Sequence, residues 1–221
     1  MMKSAKKSIS PVIETKLMKP IEDNRKFIET IRMEDGVLLH PEDHLARMRA
    51  TVEEACGRKF DADTLRFDVP LPFRKGVVKC RILYSAGIGQ VDFAPYTPRI
   101  VKSLRLVDGG DIDYHLKYAD RSRLDALRAL RGNCDDVLIT VDGRVTDTSY
   151  SNVVLSDGER LYTPDTYLLN GTMRQRLLRE GLIEERKICR EDLSHYKSVT
   201  LINAMLGIEA GITLSAGDIS S

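Results

Sequence analysis

The stretch DDVLITVDGRVTDTSYSNVVLSDGERLYTP, residues 135–164, constrains the fold of this chain more than any other. Apolar and β-branched residues are punctuated there by two Asp-Gly pairs, Asp142-Gly143 and Asp157-Gly158. Asp-Gly is favoured in tight hairpin turns, where the central residues take positive φ. The pattern predicts three strands joined by two hairpin turns. Such a sheet has to be covered by helices or by another sheet.

Helical signals flank it. HPEDHLARMRATVEEACG, residues 40–57, spaces Leu45, Met48, Val52 and Ala55 by three and four, with Pro41 and Glu42 suited to a first turn and Gly57 to a stop. RSRLDALRALRG predicts a second helix with Leu124, Leu127 and Leu130 on one stripe and Gly132 as its end. LNGTMRQRLLREGL predicts a third, carrying Met173, Leu177 and Leu178 and ended by Gly181. Residues 1–10 read as a loose end and residues 11–39 as extended, with Phe27, Ile31 and Met33 two or four apart before an Asp35-Gly36 turn. GVVKCRILYSAG alternates as a strand, and Pro95 and Pro98 break the stretch after it. EERKICR reads as a short strand, and EDLSHYKSVTLINAMLGI as a short helix, a strand at Val199 to Ile202 and a turn. The expectation is an α+β protein of two lobes, a small one over 1–105 and a larger one over 106–221.

Composition removes several function classes. In 221 residues, 34 basic side chains meet 33 acidic ones, a formal charge of +1, so no net field draws nucleic acid or an acidic membrane. No apolar run approaches the ~20 residues that cross a bilayer. The basic start MMKSAKKSIS has no apolar stretch behind it and does not read as a secretory signal. Cys56, Cys80, Cys134 and Cys189 form no C-x-x-C pair, and the four histidines show no metal-ligand spacing. This predicts free thiols in a reducing cytoplasm and no metal.

Four positions could carry chemistry. Lys117, read as the end of a strand, is ordinarily a solvated charge, but partial burial there would lower its pKa and make it a usable amine nucleophile. Asp147 reads either as a turn carboxylate or as a partner for a protonated ring nitrogen. Asn170-Gly171-Thr172 opens a helix whose unpaired N–H groups and dipole would seat an anion, with Thr172 able to cap it. Arg47, three residues after His44, could clamp a phosphate. In this order they suit an enzyme that holds a phosphorylated aldehyde cofactor.

From about Phe27 to Met205 the chain resembles the class IV aminotransferases, the fold-type IV enzymes that use pyridoxal 5′-phosphate (PLP). FIETIRMEDG resembles the family's opening strand, HLARMR its H-x-x-R segment, and LKYADR the segment of the Schiff-base lysine. Residues 135–164 resemble its longest signature, LLNGTMRQRLL its phosphate-binding turn, and INAMLGI its last active-site turn. The resemblance implies that Lys117 carries the cofactor and shuttles protons at the substrate Cα, while Asp147 pairs with the pyridine nitrogen. It implies that Arg47, Gly171, Thr172, Met173, Ala204 and Met205 seat the phosphate, the last two through backbone N–H groups, and that Asn152 builds the strand behind the ring. The chain departs from the pattern at Asp147, where the family usually has glutamate, and at Asn203-Ala204-Met205, where many aminotransferases have a threonine or serine. It is also short between Arg47 and Lys117.

FIETIR, LKYADR with Arg121, and the NAM turn look most like the 4-amino-4-deoxychorismate lyase branch, which eliminates pyruvate to give 4-aminobenzoate, a folate precursor. Branched-chain or D-amino-acid aminotransferase is the alternative, and a non-catalytic PLP-fold protein the second. The resemblance further implies a small-molecule substrate and a homodimer.

Overall fold

A computed structural model describes residues 25–209 and 211–220. The loose end at 1–10 and the extended reading of 11–24 lie outside the described residues.

The first sheet is antiparallel: β1 (Phe27–Glu34), β2 (Val37–Leu38), β3 (Val77–Tyr84) and β4 (Ile88–Pro95), in the order β2-β1-β3-β4. Asp35 and Gly36 make the first hairpin turn with φ of 48° and 84°, the left-handed values an Asp-Gly turn requires. Helix α1 (Pro41–Cys56) ends at Gly57, whose φ is 61° and whose N–H donates to Glu53 O. Its Met48 and Val52 pack with Phe27, Ile31, Cys80, Ile82 and Tyr84, the residues of one face of β1 and β3. The opposite face of the same strands carries Ile28, Thr30, Lys79 and Arg81.

The second sheet has nine strands. In chain order the elements are β5 (Leu104–Asp108), α2 (Ser122–Ala129), β6 (Asp136–Val141), β7 (Arg144–Thr148), β8 (Asn152–Ser156), β9 (Leu161–Pro164), α3 (Thr172–Arg179), β10 (Glu184–Arg186), β11 (Ser198–Ile202), β12 (Ile212–Ser215) and β13 (Ile219–Ser220). The strands run β10-β9-β8-β7-β6-β5-β13, with β11 joined to β8 and β12. Leu138, Val145, Val153, Leu155, Val199 and Leu201 form its core. The mixture of sheets and a few packed helices is α+β, as expected.

Three local expectations change. Residues 135–164 form four strands, not three, because the chain reverses once more between the two Asp-Gly turns. Thr148 N–H donates to Ser151 O at 2.8 Å, and Ser151 N–H donates back to Thr148 Oγ1 at 3.0 Å. A hydroxyl that satisfies its own turn needs no glycine to mark it. Leu130 does not extend the α2 stripe: the helix stops at Ala129, Leu130 N–H turns back to Leu127 O, and the side chain is 56% exposed.

Lys117 is not at a strand end. It sits in an irregular segment between β5 and α2 with φ of 49°, its N–H donating to Tyr114 O and its carbonyl accepting from Ile28 N–H. Left-handed backbone costs a side-chain-bearing residue about 1–2 kcal/mol. Tyr118 bridges to Phe27, so the segment is stitched to the start of β1.

Candidate active site

The turn at Thr148–Ser151 explains the five-residue spacing of Asp147 and Asn152. Those two residues are paired between β7 and β8, directly opposite each other. Asn152 Nδ2 donates to Asp147 Oδ1 at 2.8 Å and to Leu169 O at 2.8 Å. Asp147 Oδ2 accepts from the N–H groups of Leu168, at 3.1 Å, and Leu169, at 2.9 Å. Burial pushes the Asp147 carboxyl up to about 6, against the pull of these donors and of Arg174.

Lys117 lines the same cavity, of about 300 Å³, as Asp147. Burial, with repulsion from Arg47 and Arg121, lowers its amine to about 8, against the attraction of Glu29 and Asp147. Its segment is held from the side. Arg121 Nη2 donates to Ser149 O at 2.7 Å and Nη1 to Tyr114 Oη at 3.3 Å, while Tyr114 Oη donates to Tyr118 O at 2.8 Å. Arg121 thus ties the lysine segment to the turn behind Asp147.

Arg47 reaches the cavity from α1. It is paired bidentately with Glu29 on β1, and His44 Nδ1 meets the same carboxylate at 2.7 Å. Sequence reasoning missed Glu29, although its signal was present. Phe27, Ile31 and Met33 define one face of β1, and Glu29 fills the remaining position on that face, fully buried. A carboxylate at an apolar alternation position has to be paired.

Helix α3 begins at Thr172. Gly171 is its N-cap and contributes no side-chain hydrogen bond, so Thr172 is the first helical residue and not the cap. The first N–H groups of the helix lack intrahelical partners, as all helix starts do. A Cβ on Gly171 would stand 2.1 Å from Asn152 Oδ1. Glycine is needed there because the amide that holds Asp147 occupies the space.

Arg47, Lys117, Asp147, Asn152, Gly171, Thr172, Ala204 and Met205 all line the one cavity. Met173 does not: its side chain packs with Val154, Leu177 and Ile202 and lines a smaller neighbouring cavity of about 190 Å³. Met205 N–H already donates to Asn203 Oδ1 at 2.9 Å. Asn203 Nδ2 in turn donates to Ser151 Oγ at 2.9 Å, bracing the last turn against the one after Asp147.

A deep cavity holding a lysine of lowered pKa, a buried carboxylate and an open helix start defines an enzyme site of the cofactor-anchoring kind. The profile of the amino-transferase class IV family matches residues 114–210. An uncharacterized protein of Haemophilus influenzae is 38% identical over 186 residues, 82% of this chain and 98% of its own. A crystal structure from Haemophilus somnus, described as a candidate 4-amino-4-deoxychorismate lyase, is 30% identical with a TM-score of 0.71, covering 83% of this chain and 98% of that one. A candidate amino-acid aminotransferase from Mesorhizobium loti is 25% identical with a TM-score of 0.68, covering 87% and 99%. The chain belongs to the class IV aminotransferase family, and it is an enzyme of that kind.

Proposed function

We propose that the cavity binds PLP on Lys117 and that the reaction is the elimination of pyruvate from 4-amino-4-deoxychorismate, giving 4-aminobenzoate. The observation that carries the cofactor reading is that Lys117 and Asp147 line one cavity together with Gly171 and Thr172 at the start of α3.

The residues fit the group. Arg47 and the first N–H groups of α3 would hold the phosphate. Asp147, kept in place by Asn152 and two backbone N–H groups, would hold a proton on the pyridine nitrogen. Aspartate is the length this pocket accommodates, since its second oxygen is already seated on Leu168 and Leu169. Bound PLP supplies an electrophilic carbon and a ring that withdraws electrons from the substrate Cα. Lys117 Nζ, with its pKa lowered to about 8, can take a proton from that carbon and return it. Arg121 and Tyr114 tie its segment to the turn that follows Asp147. Met173 would contribute only its backbone N–H, and Ala204 the N–H of the last turn.

The likeness to the Haemophilus somnus protein supports the lyase reading, as do FIETIR, LKYADR and the NAM turn. The likeness to the Mesorhizobium loti protein supports a second reading, amino-acid transamination. A homodimer, a cytoplasmic location and a lobe boundary near residue 105 belong to the same proposal. No helix among the described residues is long and apolar enough to cross a membrane. The test is direct: borohydride reduction should fix PLP on Lys117, and 4-aminobenzoate should be released from 4-amino-4-deoxychorismate. Efficient transamination without that release selects the second reading, and a Lys117→Ala variant that retains PLP as well as wild type rejects the cofactor site.

A further inference from the structure

The face of the first sheet turned away from α1 has a charge pattern that the cofactor does not use. On β3, Val78, Cys80, Ile82 and Tyr84 are buried. The alternate residues Lys79 and Arg81 therefore stand on the other face. There they are half-buried and line the cavity that holds Lys117 and Asp147, in register with Arg32 and Thr30 of β1.

The lining carries six cationic side chains, Arg47, Lys79, Arg81, Arg99, Lys117 and Arg121, against one carboxylate, Asp147. Arg47 is neutralised by Glu29 and Arg121 is tied to Ser149 O. Among the described residues Arg81 has only a loose pair, with Asp92 at 3.8 Å. Lys79 has no carboxylate within ion-pair distance among the described residues. A sheet face open to water carries lysine and arginine at little cost. Inside a partly enclosed cavity like charges are screened less, and they raise the local concentration of anions. The anion of PLP is provided for by Arg47 and α3, and the Arg99 guanidinium lies over the Tyr150 ring, 5.0 Å from its centroid, which leaves Lys79 and Arg81 to the substrate.

We infer that Lys79 and Arg81 form a carboxylate seat that selects amines carrying a second carboxylate over amino acids with alkyl side chains. The inference rests on the reading that Lys117 engages a substrate amine, and deepens it by assigning the substrate class to residues of β3.

Isothermal titration of the PLP-loaded enzyme with chorismate reads the seat without turnover. Chorismate is the 4-hydroxy counterpart of the proposed substrate, with two carboxylates and no amine to react at Lys117. Lys79→Met and Arg81→Met should each weaken it about tenfold or more, while Lys79→Arg stays near wild type. All three should keep the absorbance of bound PLP. Wild-type affinity should fall with added salt. A Lys79→Met/Arg81→Met double variant with intact PLP absorbance and wild-type affinity overturns the seat, as does a wild type that fails to bind chorismate or binds it without salt dependence. The salt series needs no variant, so misfolding of a variant leaves the seat testable. Absence of 4-aminobenzoate release rejects the lyase reading alone. The seat then stands if the enzyme transaminates glutamate in preference to leucine, and falls with the reverse preference.

Discussion

Glu29 and Arg47 meet through two parallel hydrogen bonds of 2.7 Å, Nε to Oε1 and Nη2 to Oε2, with the carboxylate fully buried. This leaves Nη1, 3.4 Å from Asn170 O, as the donor not committed to Glu29. Bidentate pairing fixes the plane of a guanidinium as well as its position. The pair therefore sets the angle at which α1 presents Arg47 to the start of α3.

Burial alone would raise the Glu29 carboxyl, but the Arg47 charge and the hydrogen bonds from His44 and Arg47 hold it well below the usual carboxylate range. Removing one partner of a buried pair costs about 3–5 kcal/mol. Glu29→Gln should lose stability of that order in urea unfolding and should weaken PLP binding. The pH dependence comes from a depressed folded pKa. The contribution of Glu29 is full above the unfolded value of about 4.3 and disappears as pH falls through the lower folded value. The variant should lack this component of acid destabilisation; an unchanged acid limb means Glu29 is not ionised in the fold.

Lys117 has the same direction of pH slope, because its folded pKa is also lowered, but its charged form is held at a cost whereas that of Glu29 is favoured. Its folded value of about 8 lies below the unfolded value of about 10.4, so the folded state gains stability as pH rises between them. In PLP-free enzyme, capture of added PLP, trapped with borohydride, should accelerate with pH and level off above about 8. Arg121→Leu removes a repelling charge and should move that midpoint upward. A wild-type midpoint at the ordinary lysine value would show that Lys117 is solvated.

Asp147 separates binding from chemistry. Asp147→Asn removes the charge and leaves one oxygen, which can accept from the two backbone donors while its NH2 faces the Asn152 amide. PLP should still load onto Lys117, and turnover should fall roughly 10²-fold or more, the scale of losing one electrostatic stabiliser. Wild-type turnover should also fall as the carboxyl is protonated at or below about pH 6. Equal turnover of the variant and wild type would remove Asp147 from the site.

Much of this arrangement was legible in the chain. The α1 stripe, the Asp-Gly turns and the order Arg47, Lys117, Asp147, Gly171 are local patterns, and local patterns survive folding. Three features were not legible, two because they depend on contacts distant in sequence and one because its local signal is a hydroxyl. The left-handed backbone at Lys117 arises from docking of its segment onto β1. The turn at Thr148–Ser151 uses a hydroxyl where glycine would have advertised it. Asn203 lies in the turn where many aminotransferases have a threonine or serine, and the chain does not announce that its amide bridges Ser151 and Met205. Glu29 was legible in principle as the polar member of an apolar alternation.

Gly171 tests whether the Asp147–Asn152 pair is held by packing. Its φ of −65° and ψ of 144° suit any residue, so alanine there brings no backbone strain. The cost is the added Cβ, which would fall 2.1 Å from Asn152 Oδ1. Asn152 cannot retreat without giving up Asp147 Oδ1 and Leu169 O. Gly171→Ala should therefore act through Asn152, weakening PLP about tenfold and lowering stability by about 1–3 kcal/mol. Asn152→Ala should cost about as much by leaving Asp147 short of a donor. Because the alanine clashes only with the amide, the double variant should lose less than the sum of the two. A coupling of about 0.5–3 kcal/mol in a double-mutant cycle on thermal unfolding is expected. Strict additivity would separate the glycine from the carboxylate and place its role at the helix start alone.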